Sequence, residues 1–380
     1  MIRKIKVAHI VESMLGGIRR HVIDIIENLD KDKYEVYLIY SNRRADKVFF
    51  EEKEELEKHC TLILCNEMER KLGLNDLKAY KVVKNHLSII KPDIVHCHSS
   101  KAGIVGRLAA CVLKSKVIIY TPNAYAFQDF RIPIIKRKIY IVAERYLSRY
   151  ATTMTINVSK GEMKEALNNR IDDERKFVLI YNGIPSEELP EKESLKNEMS
   201  LKKTMHYVGV TARCAKQKDP ITFLQIAENV VKKRKDVEFL YIGDGEMIDE
   251  MRKYVCNHNL KDSVHILGFH PNASKIVGVL DIYLSTALYE GLPYSMLEAL
   301  RAGIPVIATN TVGNNELIID GENGKLFPVG DIEAGARLVI DQIENEGIKK
   351  ERVRRTYEEK YSLKTMMNRI NLLYEEAVCK

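Results

Sequence analysis

Short apolar runs alternate with helix-length amphipathic segments from one end of the chain to the other. In the first half the runs fall near residues 5–11, 34–40, 60–65, 93–97, 117–120, 152–157 and 177–181. In the second half they fall near 206–211, 237–242, 264–267, 281–284, 305–308 and 324–327. Strand followed by crossover helix, repeated in this way, predicts α/β architecture with parallel sheets covered by helices on both faces. The polar stretch from Pro185 to Glu198 breaks the pattern, and its prolines and lack of an apolar period predict a linker over 185–203. It separates a first Rossmann-like domain, 1–184, from a second, 204–360. Two such domains facing each other would bind a ligand at the carboxyl ends of their strands. Helical periodicity resumes over 361–380, and there is no internal repeat or low-complexity tract.

Composition adds boundaries to this picture. A chain of 380 residues has room for two cores, and 45% hydrophobic with 30% charged residues is ordinary for a soluble protein. No apolar run is long enough to cross a bilayer, and the start, Ile2 to Val11, alternates like a strand and lacks a signal-peptide cleavage pattern. Seven cysteines without a C-x-x-C pair fit a reducing, cytoplasmic setting. His96-Cys97-His98 is the nearest approach to a metal-ligand string and reads as structural, so no metal is expected. The net charge of +7 is uneven: residues 1–180 carry +10 and the remainder −3. A basic first half suggests an anionic partner. Nucleic acid is not indicated, because no aromatic-basic module accompanies the charge.

The most informative stretch runs from Ala287 to Leu300. The run Asp281 to Leu284 reads as a buried strand, Gly291 as a turn, and Pro293 as a first-turn helix residue whose missing N–H costs nothing. A helix would then start at the carboxyl end of a strand, its free N–H groups and positive dipole end suited to a diphosphate. Glu290 lies at the mouth and Glu298 about a turn and a half into the helix, too far apart to form one acid/base pair. They would hold two parts of one long ligand; each alone could equally be a solvated carboxylate.

Glu-x7-Glu, followed by Ala302-Gly303-Ile304-Pro305-Val306-Ile307-Ala308 and by Gly313-Asn314-Asn315-Glu316, resembles the donor site of glycosyltransferase family 4. These are retaining enzymes of the GT-B fold, two Rossmann-like doubly wound domains, that use sugar nucleotides. The resemblance implies that Glu290 contacts the donor sugar and Glu298 the ribose hydroxyls, with Gly291 and Leu292 lining the donor pocket. It places the 361–380 helix back on the first domain. It further implies that Arg213 and Lys218, in the string Val208 to Pro220, hold the diphosphate, where fixed cations would stabilise the charge of the leaving group. Asp219-Pro220 also reads as an N-cap and first-turn pair.

Other strings carry less. Gly16 and Gly17 sit where the first strand turns into a helix, a structural turn or a close approach to phosphate; by resemblance this loop faces the donor phosphates and the acceptor. Phe269 and His270 follow a strand and would meet the nucleobase, or form a ligand-free turn. His98, Ser99 and Lys101 resemble strings on the acceptor side of bacterial surface-polysaccharide enzymes. Asn123 follows Thr121-Pro122 where the family usually has a sugar-contacting histidine, and an amide cannot become cationic.

Arg131, Lys136, Arg137, Lys138, Arg145 and Arg149 share a segment with Ile132, Ile134, Ile135, Ile139, Val142 and Tyr146. It is either a helix for an anionic membrane surface or a core helix with solvated cations. The expectation is a metal-independent, retaining hexosyltransferase without a cofactor. It would move a sugar from a nucleoside-diphosphate donor to a glycan, lipid-linked, in surface polysaccharide synthesis, peripheral to the inner face of the membrane. Alternatives are a GT-B epimerase or phosphorylase, or a catalytically silent nucleotide-sugar-binding subunit.

Overall fold

Runs rich in β-branched and aromatic residues such as Ile5–Val11 and Val237–Ile242 form strands because both of their faces are covered, which the nearly complete burial of these segments bears out. The computed structural model describes residues 3–69, 73, 75–128, 132–187, 189–345 and 347–379. Residues up to Asn182 together with those from Leu363 make one compact unit, and Gly183–Ser362 make the other.

The first unit holds β1 (Ile5–Val11), β2 (Tyr34–Tyr40), β3 (Thr61–Leu64), β4 (Ile94–His98), β5 (Val117–Thr121), β6 (Met154–Asn157) and β7 (Phe177–Leu179). They form one parallel sheet in the order β3-β2-β1-β4-β5-β6-β7. The second unit holds β8 (His206–Thr211), β9 (Val237–Ile242), β10 (Val264–Gly268), β11 (Ile282–Ser285), β12 (Val306–Thr309) and β13 (Gly324–Phe327). Its order is β10-β9-β8-β11-β12-β13, again parallel. The order reverses between β1 and β4 in one sheet and between β8 and β11 in the other. At such a point the neighbouring crossovers leave on opposite faces, so a crevice opens outside the carboxyl ends of the two strands.

The helix Leu363–Cys379 buries Met366, Met367, Ile370, Leu373, Tyr374 and Ala377, a spacing that puts all six on one stripe. These residues join the core under β1 and β2. The Tyr374 hydroxyl lies 2.7 Å from His96 Nδ1, Lys33 pairs with Glu375, and Arg369 donates to the Leu179 carbonyl at 3.0 Å.

Within the second unit, Ile184 N–H donates to the Tyr361 carbonyl at 3.0 Å, and the Tyr357 hydroxyl donates to the Ile184 carbonyl at 3.0 Å. The two stretches of chain at its boundary are thereby tied together.

The stretch expected to be a linker is more structured than its polarity suggests. Residues Lys192–Glu198 form a helix whose Leu195 is buried. The Lys192 ammonium meets Asp281 at 2.5 Å, and the Lys196 amine donates to the Lys203 carbonyl at 3.2 Å. One leucine and two lysines suffice to dock it, which is too few apolar positions to show a period.

Removing the Tyr374 hydroxyl would leave a buried imidazole nitrogen unpaired, so Tyr374→Phe should cost about 1–3 kcal/mol. Chemical denaturation of wild type and variant measures this; equal midpoints would contradict it.

Candidate active site

The loops after β8, β11 and β12 converge because those strands are neighbours in the second sheet. After β8, the loop passes Arg213 and reaches Asp219, whose carboxylate caps the helix Pro220–Lys233 with Pro220 in its first turn. Asp219 takes φ of 46°, a left-handed turn that redirects the chain. The Thr286 hydroxyl donates to the carbonyls of Lys218 and Asp219 at 3.0 and 2.8 Å, and the Gln217 amide donates to the Tyr289 carbonyl at 3.0 Å. Lys218 then pairs directly with Glu290, whose side chain is 9% exposed. The sequence-predicted diphosphate lysine and sugar carboxylate are therefore in contact.

After Glu290 the chain turns at Gly291 and enters the helix Tyr294–Arg301. Pro293 is its N-cap, one position earlier than expected, with φ of −74° and extended ψ. The proline ring fixes φ without requiring helical ψ, so it serves as well just outside the first turn. Pro293 itself has no polar side chain with which to cap this end. Leu292 and Glu298 are buried, and Glu298 lies close enough to Tyr283 to push its phenol up, after burial and hydrogen bonding have acted.

After β12, Gly313 takes φ of 89°, and a Cβ there would stand 2.2 Å from the Gly291 carbonyl oxygen. Only glycine lets this loop close on the Glu290-Gly291 turn. Asn314 donates to the Thr309 carbonyl at 3.1 Å, and the Thr309 hydroxyl to the Ala287 carbonyl at 2.5 Å, which fastens the two loops.

Arg213 is half-buried and makes no side-chain hydrogen bond or ion pair among the described residues. Its backbone is fixed instead: the Tyr241 hydroxyl donates to the Arg213 carbonyl at 3.3 Å, and a Cβ at Gly243 would stand 1.9 Å from the Ala212 carbonyl oxygen. Phe269 and His270 lie on the exposed turn after β10, at the edge of the sheet. The Gly243 N–H donates to the Gly268 carbonyl at 2.8 Å and holds that turn beside the loop after β9.

The first unit has its own set at the β1/β4 reversal. Gly16 and Gly17 open the helix Gly16–Glu27 and are exposed; Gly16 has φ of 57° and donates to Asp46 at 2.9 Å. His98 is fully buried. Ser99 takes φ of 63°, and its hydroxyl is buried with no partner among the described residues. Lys101 is buried and its ammonium is engaged by Asp76 at 2.5 Å. Asn123 takes φ of 52°, and its amide nitrogen has no partner among the described residues.

His98 belongs to a group that sequence reading only half saw. The register aligns His9 with His96 and Val11 with His98, and side chains two apart share a sheet face. His9 Nδ1 lies 3.0 Å from His98 Nε2, while His96 sits between the Tyr374 and Thr121 hydroxyls at 2.7 and 2.8 Å. One ring nitrogen from each of His9, His96 and His98 falls within 4.8 Å of the others, so these three are a candidate metal group. The internal hydrogen bonds already use the facing nitrogens. His21 packs edge-on against His98. Burial pulls His9 down to about 3 and His21 to about 4, and holds His96 and His98 well below the ordinary value. The missing signal was strand pairing, which brings His9 to His96 from 87 positions away.

With this geometry established, comparison with known proteins is direct. Residues 15–188 match the model described as Glycosyltransferase Family 4, and residues 191–361 that of Glycosyl transferases group 1. The chain belongs to the family 4 type of glycosyltransferases. A UDP-Gal:alpha-D-GlcNAc-diphosphoundecaprenol alpha-1,3-galactosyltransferase of Escherichia coli is 27% identical, over 89% of this chain and 87% of its own length. The capsular polysaccharide biosynthesis glycosyltransferase CapM of Staphylococcus aureus is 23% identical, over 79% of this chain and 82% of its own. The structure of Anabaena HepE with UDP and glucose superimposes with a TM-score of 0.82 at 18% identity, covering 98% of this chain and all of that one. The fold of this glycosyltransferase is thus GT-B.

The buried histidines give it a pH-dependent stability. Their folded pKa values lie below the unfolded value near 6.5, so their contribution is present above pH 6.5 and is lost as pH falls toward the folded values. The loss is about 1.4 kcal/mol per histidine for each pH unit. Asp24, which burial pushes up to about 7, runs the other way and offsets one histidine. Melting temperature should therefore change little between pH 7.5 and 6.5 and fall from there to pH 5.5. A flat profile would mean that the cluster is already protonated or hydrated.

Proposed function

We propose that this glycosyltransferase moves a hexose from a UDP-sugar to a lipid-linked glycan, with retention and without a metal, in the synthesis of a surface polysaccharide. The observation that carries the reading is the Lys218–Glu290 contact at the β8/β11 reversal, beside the start of the helix Tyr294–Arg301. Arg213, Lys218 and the helix dipole would meet the diphosphate and stabilise the charge that builds as it departs. Glu290 would hold the sugar and Glu298 the ribose, with Gly291 and Leu292 lining the pocket, Phe269 and His270 at the base, and Asn123 at the sugar. Gly16, Gly17, His98, Ser99 and Lys101 would lie toward the phosphates and the acceptor. The bound UDP and glucose of HepE, and the UDP-sugar and diphosphoundecaprenol in the name of the Escherichia coli relative, support the choice of donor and acceptor class. Retention rests on the family resemblance; departure of the diphosphate on the face that the acceptor attacks would need no separate base.

Thermal shift with a panel of UDP-sugars tests the donor, because a ligand of the folded state alone must raise its melting temperature. Glu298→Ala should raise KM for the donor, since a ribose contact is equal in ground and transition states. Glu290→Ala should mainly lower kcat, since the sugar contact tightens as the bond breaks. Wild-type kinetics in both would refute the site. Arg213→Ala should weaken UDP binding about tenfold or more, a charge-assisted contact being worth roughly 1.5–3 kcal/mol. EDTA should leave wild-type turnover intact, and strict dependence on a divalent ion would contradict the metal-free reading.

The acceptor would be met at an anionic membrane surface through the helix Ile134–Ala151. Its inner face buries Glu144, Leu147, Ser148 and Ala151, with Glu144 held by Arg107 at 2.8 Å. Ile134, Ile135, Ile139, Val142, Tyr146 and Tyr150 are 59–75% exposed along its outer side, beside Lys136, Arg137 and Lys138. That disfavours the core-helix alternative; Arg131 lies outside the described residues. No helix among the described residues is long and apolar enough to cross a membrane. Sedimentation with phosphatidylglycerol vesicles should capture the protein at low salt and release it as salt rises, with about 1 kcal/mol lost per lysine replaced by glutamine. Equal binding to neutral vesicles would count against the electrostatic part of this reading.

A further inference from the structure

The loop after β5 has a backbone that two consecutive residues with a Cβ seldom share. Asn123 and Ala124 have φ of 52° and 80°, left-handed conformations that crowd the Cβ against the chain. Such a pair persists only where the surroundings hold it. The Ala124 N–H donates to Glu162 Oε1 at 2.7 Å.

Glu162 is fully buried, three residues after Ser159, the N-cap of the helix Lys160–Asn168. Its N–H donates to the Ser159 hydroxyl at 3.0 Å. Its second oxygen accepts from Val158 N–H at 2.9 Å and from the Asn157 amide at 3.3 Å. A glutamate in this place ordinarily reaches back to cap its own helix. Here one oxygen does that work at the end of β6, while the other reaches across to the loop after the neighbouring strand β5.

The consequence falls on Asn123. Its amide nitrogen is buried and has no partner among the described residues, although it has two N–H groups to donate. A buried donor left open beside a held backbone is what a hydroxyl-bearing ligand would complete. We propose that Glu162 is a positioning residue for the transfer reaction: by holding the Ala124 N–H it keeps the left-handed pair in place, so that Asn123 presents its amide N–H to a sugar oxygen. The role of Asn123 rests on the donor reading given above; the hold on Ala124 does not.

Two measurements keep those parts separate. Hydrogen exchange of the full-length protein should show slow exchange at the Ala124 amide, and Glu162→Gln should speed it at least tenfold, because the glutamine NH2 displaces one of the two oxygens. If Glu162→Gln leaves that amide as protected as in wild type, the hold is overturned. The second measurement is turnover of UDP-galactose and UDP-glucose, taking whichever gives the larger thermal shift. Glu162→Gln should lower kcat/KM at least tenfold in wild type but by less than twofold in Asn123→Ala. Ala124→Gly, which suits positive φ, should restore part of the loss.

Equal losses in both backgrounds would make Glu162 merely structural and overturn the proposal. Wild-type turnover of Asn123→Ala alone would instead bring down the donor reading, with the exchange result still standing. Should Glu162→Gln fail to fold, Glu162→Asp shortens the reach to Ala124 and is expected to speed its exchange likewise. Unchanged protection there would be equally fatal.

Discussion

Parallel strands joined by right-handed crossovers leave two neighbouring loops diverging only where the strand order reverses. Each unit has one such place, β1 beside β4 and β8 beside β11. The rest of the second unit's chemistry depends on this constraint. Lys218 and Glu290 are 72 positions apart, yet they meet because β8 and β11 are hydrogen-bonded neighbours whose loops emerge at one edge. The glycine at 313 then lets a third loop close against the turn at Gly291 without a side chain in the way.

The pairing of Lys218 with Glu290 also shapes the electrostatics at the β8/β11 reversal. A half-buried cation left alone would be costly, and so would a buried carboxylate; together they lower each other's desolvation penalty. Under the proposed function, a diphosphate arriving at Lys218 would share that cation with Glu290, weaken its hold on the carboxylate and free Glu290 to turn toward a sugar hydroxyl. Arg213 has no such internal partner among the described residues. Its charge is already available, and its backbone is fixed by contacts that do not involve the guanidinium.

Much of this was legible in the sequence because it is local. The thirteen strands stand where continuous apolar runs placed them, and Asp219-Pro220 caps its helix as the pair suggests. Glu290, Gly291 and Glu298 occupy a strand-turn-helix that their own neighbours specify. What escaped depends on pairing in space. His9 and His21 carry no local mark of joining His96 and His98, since only strand register and helix packing bring them there. The engagement of Lys101 by Asp76 and of Ala124 by Glu162 likewise crosses between elements. The helix within the expected linker was hidden for another reason: one buried leucine makes no period.

The helix Leu363–Cys379 belongs to the core of the first unit, with Tyr374 reaching His96 across 278 positions. A ribosome making this chain finishes the whole of Gly183–Ser362 before it makes that helix. Until then the apolar stripe's place beneath β1 and β2 stays open, and His96 lacks the hydroxyl of Tyr374. The second unit can therefore fold while the first is still incomplete, a delay during which exposed apolar surface invites non-native association. Closing so long a loop adds little equilibrium cost, since loop entropy grows only logarithmically, but it makes a stretch synthesised after the whole second unit the one that completes the first core.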